Sequence, residues 1–328
     1  MNSLLQGSDD PPVSRDLVKQ LTARFRDLRV WDYYSISKIK NSMYCSTYLY
    51  YLSKGLREKK IKTPEGMAGS RIHEKLDITE KRDVEPPQAA VYNICGILGS
   101  LQKSSVSEES TVLTELPYFS PTERIWGYPD VLFFHNNGCL TIDIIERKTR
   151  MKKLSEDGTP YIFAGDVYQL FVQKRIIEDI LEYSLPADEN LPRDKISINC
   201  YLELRQRNLN PVKTTAKEYA SQLEHAVENL KLKSEKHLED NHYQGDFTMP
   251  VLFNEPPPGQ EPLYCKIDAD LDDITKRFAH VKETLLHQKE GLKATGFICN
   301  PGRRRYCGYS HLCNDTEKQT SLSMFTSL

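Results

Sequence analysis

The sequence has no long hydrophobic run: no stretch reaches the roughly 18 apolar residues that a membrane-spanning helix needs. Its first residues, MNSLLQGSDDPPVSRD, lack both the apolar core of a signal peptide and the Arg-rich, acid-poor composition of a transit peptide. No internal repeat is present. With 39% hydrophobic and 27% charged residues, the composition is that of a globular protein. We expect an intracellular monomer in the nucleus, cytoplasm or mitochondrion, with no membrane partner.

The chain also lacks a strong net charge. Its formal charge is -2, which excludes a global attraction to nucleic acid, so any such binding depends on local basic clusters. Two clusters stand out, RKTRMKK at 147–153 and the run Arg303, Arg304 and Arg305. Taken alone, runs of this kind are more often solvated surface than a binding site.

The order of patterns along the chain predicts one large domain between two tails. We expect a flexible tail over 1–14, a single domain over 15–315 and a second tail over 316–328. Apolar residues at helical spacing predict an N-terminal helix through Leu17 and Phe25, and two long helices further on. The long helices are expected near 215–238 and 271–293, and surface loops near 107 and over 241–262.

A tyrosine-rich stretch, WDYYSISKIKNSMYCSTYLYYL, follows the first helix. Its tyrosines are compatible with ordinary packing and with a platform that stacks unpaired bases. The sequence does not separate these two readings.

Two β-branched and aromatic runs flank Asn136-Asn137-Gly138 in WGYPDVLFFHNNGCLTIDIIERKTR, which predicts a hairpin. On its second strand Glu146 and Lys148 are two residues apart and share a face. A three-residue loop over 136–138, with Gly138 at positive φ, places Asp130 opposite Ile144 and on that same face. A two-residue turn would put Asp130 opposite Ile145, on the wrong face.

These residue types suit one chemistry. The carboxylates of Asp130 and Glu146 are hard oxygen ligands for Mg²⁺, with Mn²⁺ as a substitute, in metal-assisted phosphodiester hydrolysis. The ammonium group of Lys148 would orient a water molecule or stabilise charge on the phosphate. The alternative is that the three residues form ordinary surface ion pairs.

Three motifs resemble the PD-(D/E)xK nucleases. Pro129-Asp130 with Glu146-Arg147-Lys148 is similar to the signature that names the superfamily, and the stretch from Gly69 to His73 resembles the Gly-x-x-x-His motif of its RecB-type branch. Tyr168-Gln169-Leu170 resembles the branch's Gln-x-x-x-Tyr motif, in which Gln173 takes the Tyr position. The resemblance implies that Gln169 orders the active site, and that His73 and the backbone carbonyl of Arg147 are further metal ligands.

The cysteines indicate a second metal site. Cys299, Cys307 and Cys313 lie close together in sequence, and Cys45 is the best candidate for a fourth ligand. Four thiolates suit a [4Fe-4S] cluster or zinc.

Cys307-Gly-Tyr-Ser-His-Leu-Cys313 and the residues from Ser35 to Cys45 resemble motifs of iron-sulfur nucleases, and this resemblance favours iron. Cys299 is set off from Cys307 by an unusual seven-residue gap, and Cys265 is its alternative. The remaining cysteines lie in apolar settings that predict buried thiols: Cys95, Cys139 and Cys200.

Within this group the chain is most similar to eukaryotic exonuclease V. The similarity spans roughly residues 30–315 and is carried by the motifs. It implies a metal-dependent exonuclease that hydrolyses single-stranded DNA from a free end in DNA repair or genome maintenance, with a single-strand-binding protein or a helicase as a further partner. The alternatives are a CRISPR-adaptation or helicase-associated RecB-type nuclease working in a complex, and an inactive DNA-binding protein.

The resemblance also implies DNA contacts and a fold. Base stacking is expected from Tyr33, Tyr34 or Tyr161. Other expected DNA contacts are Arg150, Lys152, Lys153, Tyr168, Arg303, Arg304 and Arg305. The expected fold class is α/β, a central mixed sheet flanked by helices, with its core over about 64–205. A helical subdomain clasped by the cluster would comprise about 30–60 and 265–315.

Overall fold

The computed structural model describes residues 13–59, 61, 67, 85–107, 109–150, 160–185, 195–206, 215–238, 247–254, 262–287 and 307–312. Within these ranges the chain forms mixed β-sheets flanked by helices, as expected for an α/β protein. The helices are α1 (Arg15–Phe25), α2 (Ile36–Tyr44), α3 (Ser46–Ser53), α4 (Pro86–Ser107), α5 (Ala164–Ser184), α6 (Ala216–Glu228) and α7 (Asp272–His287). None of the helices in the described ranges combines the length and apolar character needed to cross a membrane.

The strands form a large sheet and a small one. They are β1 (Tyr34–Ser35), β2 (Thr111–Thr114), β3 (Tyr118–Phe119), β4 (Ile125–Gly127), β5 (Val131–Asn136), β6 (Leu140–Arg150), β7 (Ile196–Gln206), β8 (Lys231–Leu238), β9 (Phe247–Phe253) and β10 (Leu263–Ile267). The large sheet has the order β2-β5-β6-β7-β10-β9-β8, and the small sheet has the order β1-β4-β3. Strands β6 and β7 are parallel, because helix α5 lies between them in the chain and forms the crossover.

The β5–β6 hairpin has the predicted loop length but a different position. Asn136 pairs with Leu140, so the loop residues are 137–139 rather than 136–138. Gly138 has φ of 81°, which confirms the predicted positive φ. Val131 pairs with Ile145, and continuing this register by one residue puts Asp130 level with Glu146 instead of Ile144. The shift is by two residues on the second strand, so Asp130 keeps the predicted face.

The large sheet buries a core on each face. On one face, Leu132, Phe134, Ile142 and Ile144 pack in the main core, to which α2, α4 and α5 also contribute. On the other face, which we call the reverse face, a smaller core lies under α6. It contains Val131, Phe133, Ile145, Tyr201, Tyr219 and Leu223. The alternation of β5 and β6 residues between these cores places Glu146 and Lys148 on the main-core face.

The segment that begins at α3 is joined to residues near the end of the described chain. The ring of Tyr309 lies 5.0 Å from that of Tyr48 and 5.6 Å from that of Tyr51. The Tyr309 hydroxyl donates to the carbonyl oxygen of Leu56 at 2.6 Å, and the Lys59 N–H donates to that of Gly308 at 3.1 Å. Segments far apart in sequence are therefore held together by aromatic packing and backbone hydrogen bonds.

Three sequence predictions need correction. Helix α6 ends at Glu228, with Asn229 as its cap, and residues 231–238 form strand β8 instead of continuing the helix predicted over 215–238. The predicted loop over 241–262 contains strand β9, and α4 extends through Ser107 where a loop was expected. Strand β10 pairs with β7, so the large sheet also includes residues after 206.

Candidate active site

The structure brings Asp130, Glu146 and Lys148 together. The carboxylate oxygen Oδ2 of Asp130 accepts a hydrogen bond of 2.6 Å from the backbone N–H of Arg147. The Lys148 ammonium donates to Oε1 of Glu146. Asp130 and Glu146 are only 7% and 3% exposed, whereas the side chain of Lys148 keeps 21% of its surface. The predicted triplet thus forms a buried polar cluster and not a set of surface ion pairs.

Two glutamines of α5 hold the Glu146 carboxylate from the helix side. The Gln169 amide donates to Oε1 of Glu146 at 2.5 Å, and the Gln173 amide donates to Oε2 at 2.8 Å. Residues four apart on a helix lie on the same face, so both amides reach the same carboxylate. The hydrogen bond from Gln173 to Glu146 was not predicted, although the four-residue spacing between Gln169 and Gln173 indicates a shared helix face.

The carboxylates of this cluster repel each other. Burial raises the pKa of Glu146, and the negative charge of Asp130 raises it further, against the attraction of Lys148. Burial lowers the pKa of Lys148, but the charges of Glu146, Asp166 and Asp130 outweigh burial and raise it. Asp166, at the start of α5, has a carboxylate oxygen 3.9 Å from the Lys148 ammonium. Three acids therefore lie around one lysine, and this excess of negative charge is what a divalent cation would relieve.

The residues present fit Mg²⁺ as far as they are described. Asp130 and Glu146 supply hard oxygen ligands on one face of the sheet, and the Arg147 carbonyl belongs to the same strand. His73, the third predicted side-chain ligand, lies outside the described residues. Among the residues that are described, no three His, Cys, Asp or Glu side chains are grouped closely enough to hold a metal by themselves.

A second lysine reaches the cluster from a distant segment. The Lys40 ammonium, on α2, donates to Oε1 of Gln169 at 3.0 Å, and the Lys148 ammonium donates to the same oxygen at 3.3 Å. Helix α2 packs against α5, which brings Lys40 to the site. Sequence reasoning missed Lys40 because 129 residues separate it from Gln169.

The side chain of Arg147 lies on the reverse face, in a second buried cluster of charged groups. Its guanidinium is 3.5 Å from the Glu203 carboxylate and 5.1 Å from the centre of the Tyr219 ring. The same carboxylate accepts hydrogen bonds from Arg205 and from the hydroxyl groups of Tyr219 and Tyr264. Burial raises the pKa of Glu203, but the attraction of Arg205 and Arg147 and the Tyr219 hydrogen bond outweigh it and lower the pKa to about 2.

The structure contradicts the predicted DNA contact of Tyr168. Its ring is fully buried in the main core, edge-on to Tyr44, and its hydroxyl accepts a 2.9 Å hydrogen bond from Arg277. A side chain buried in this way offers no surface to DNA, so Tyr168 has a packing role. Of the other predicted contacts, Lys152, Lys153 and Arg303 to Arg305 lie outside the described residues, as does the side chain of Arg150.

Cys45 and Cys307 are both partly exposed. They lie on the two chain segments that the packing of Tyr48 and Tyr51 against Tyr309 joins. Cys299 and Cys313 lie outside the described residues. Cys265 is fully buried in β10, and Cys95 and Cys200 are buried as predicted. Cys139 is exposed, contrary to prediction, because it is in the β5–β6 loop.

Comparisons with known proteins leave the family of this chain open. No protein-family model matches it, and no curated protein matches it. The assignment of chemistry therefore depends on the site itself.

Proposed function

We propose that the protein is a metal-dependent nuclease that hydrolyses single-stranded DNA from a free end. The observation that carries the proposal is the paired acid cluster. Asp130 and Glu146 are buried beside each other, burial and the charge of Asp130 raise the pKa of Glu146, and the partly exposed Lys148 lies beside them. Such an arrangement costs folding free energy, and it is explained if a divalent cation and a phosphate bind there.

Each residue has a defined task in this proposal. Asp130 and Glu146 would hold Mg²⁺, which supplies an activated water molecule and neutralises charge on the phosphate. Lys148 stays protonated, because its pKa is raised, and orients the attacking water or stabilises the pentacoordinate phosphate. Gln169 and Gln173 fix the Glu146 carboxylate, so that its oxygens are in place before substrate binds.

Purified protein tests the proposal with 5′- and 3′-labelled single strands, both linear and circular, in Mg²⁺ and in EDTA. We expect linear strands to be shortened in Mg²⁺ only, and circular strands to stay intact. Glu146→Gln should lower the rate by roughly 10²- to 10³-fold while DNA binding in EDTA persists. Intact linear strands in Mg²⁺, or full activity of the variant, would overturn the proposal. Cleavage of circular strands would contradict the need for a free end and would indicate an endonuclease.

We further propose that Cys45, Cys299, Cys307 and Cys313 bind a [4Fe-4S] cluster. The support is the packing of Tyr48 and Tyr51 on Tyr309, which brings together the segments that carry Cys45 and Cys307. The purified protein should be brown and contain iron, and Cys313→Ala should be colourless and less stable. A colourless wild type loaded with zinc would contradict the assignment to iron.

A further inference from the structure

Lys40 brings a second positive charge next to the acid cluster of Asp130, Glu146 and Asp166. Its ammonium and that of Lys148 donate to one oxygen, Oε1 of Gln169, so two positive charges lie close together in a largely buried site. Like charges at short range repel, and the repulsion is stronger away from water. An arrangement of this kind is typical of a place where an anion binds between the cations.

We propose that Lys40 binds a non-bridging oxygen of a DNA phosphate next to the scissile bond. The inference rests on the proposed nuclease function and adds a substrate contact to it. Because α2 carries Lys40 while β6 carries Lys148, the phosphate would be held between two separate elements of the fold. Lys40 would thus place the strand relative to the metal ligands.

Lys40→Gln tests this role, because it removes the charge but keeps an N–H donor for Gln169. We expect kcat/KM to fall roughly ten- to a hundredfold, the value of one charged hydrogen bond, and Lys40→Arg to recover most of the loss. Lys38→Gln is the matched control: Lys38 lies on the same helix, two residues away and so on another face, and its loss should change the rate by no more than about twofold.

Single methylphosphonate substitutions separate a phosphate contact from a role in orienting Gln169. Neutralising the contacted phosphate should slow the wild type strongly and Lys40→Gln only slightly. Binding in EDTA should also show a salt slope that is smaller by about 0.7 in Lys40→Gln, as expected when one single-strand phosphate contact is lost. Equal penalties in both proteins at every position, together with equal salt slopes, would overturn the inference.

The salt slope also keeps the two proposals apart. If the wild type binds single strands but does not cleave them, the nuclease proposal fails while the slopes still decide whether Lys40 contacts a phosphate. If cleavage is Mg²⁺-dependent but Lys40→Gln behaves as Lys38→Gln does, only the inference about Lys40 fails. If the wild type neither binds nor cleaves DNA, both fail.

Discussion

Three consecutive residues of one strand belong to two opposite kinds of charge cluster. On the main-core face, Glu146 and Lys148 lie with Asp130, and the pKa of Glu146 is raised. On the reverse face, Arg147 lies with Glu203, and the pKa of Glu203 is lowered to about 2. Both clusters are buried and contain similar groups, so burial alone does not explain the difference.

The ratio of acidic to basic groups explains why the pKa of Glu146 is raised whereas that of Glu203 is lowered. Glu203 has two arginine partners and two hydroxyl donors, so its ionised form is better satisfied in the folded protein than in water. Within the described part of the chain, Glu146 has Lys148 as its salt-bridge partner, shares it with Asp166, and lies near the charge of Asp130. A balanced cluster serves stability, whereas the unbalanced one lacks positive charge that a metal ion would supply.

The largest effect is expected from a change in the acid cluster on the main-core face. Lys148→Met removes the ammonium and keeps much of the aliphatic volume, so the fold should remain while the rate of cleavage falls roughly 10³-fold. Single-turnover cleavage with excess protein measures this directly. Circular dichroism of the variant serves as the control for folding, and a folded variant with an unchanged rate would remove Lys148 from the mechanism.

On the balanced face, the same kind of change should act on stability. Glu203→Gln leaves the buried guanidinium of Arg147 without its ionised partner, and we expect the free energy of unfolding to fall by about 3 kcal/mol. Urea denaturation at neutral pH gives the value. At a temperature where the variant is folded, Mg²⁺-dependent cleavage should persist; a stable variant would show that the two faces do not differ as described.

The pH dependence of stability sharpens the contrast. Since the pKa of Glu203 is lowered in the folded state, its contribution is complete above the ordinary value of 4.5 and is lost as the pH falls towards about 2. Wild type should therefore lose stability over this range more steeply than Glu203→Gln. Parallel profiles of melting temperature against pH would contradict the assignment.

The smallest effect is expected from Tyr219→Phe. The substitution removes the hydroxyl that donates to Glu203 but keeps the ring beside the Arg147 guanidinium, so the free energy of unfolding should fall by about 1 kcal/mol. The same urea titration applies. A loss as large as that of Glu203→Gln would mean that the hydroxyl, and not the ionic partners, dominates the cluster.

The sequence predicted the main-core face of this strand better than the reverse face. The two-residue period of a strand and a loop of three residues were enough to place Asp130, Glu146 and Lys148 on one face. The loop position was wrong because Gly138 lies within the loop in either arrangement, so its conformation does not fix the register.

Contacts between segments distant in sequence explain the features that the sequence did not predict. Lys40 and Glu203 reach strand β6 or its neighbouring helix through pairings and packing that no local pattern specifies. Residues 231–238, rich in Lys and Leu, have helical preference but form β8 because β9 is available as a partner. Gln173 was predictable from helical spacing, but its Glu146 partner was not.

The central claim is that the unbalanced acid cluster is a metal-dependent nuclease site, and a magnesium titration of cleavage tests it most directly. Asp130→Asn keeps an oxygen that can accept the Arg147 N–H but removes one carboxylate charge. We predict that wild-type cleavage of a labelled single strand rises and saturates with Mg²⁺, and that the variant is slower by roughly a hundredfold or more at every concentration. Equal rates for the two proteins, or wild-type cleavage that persists in EDTA, would contradict the account.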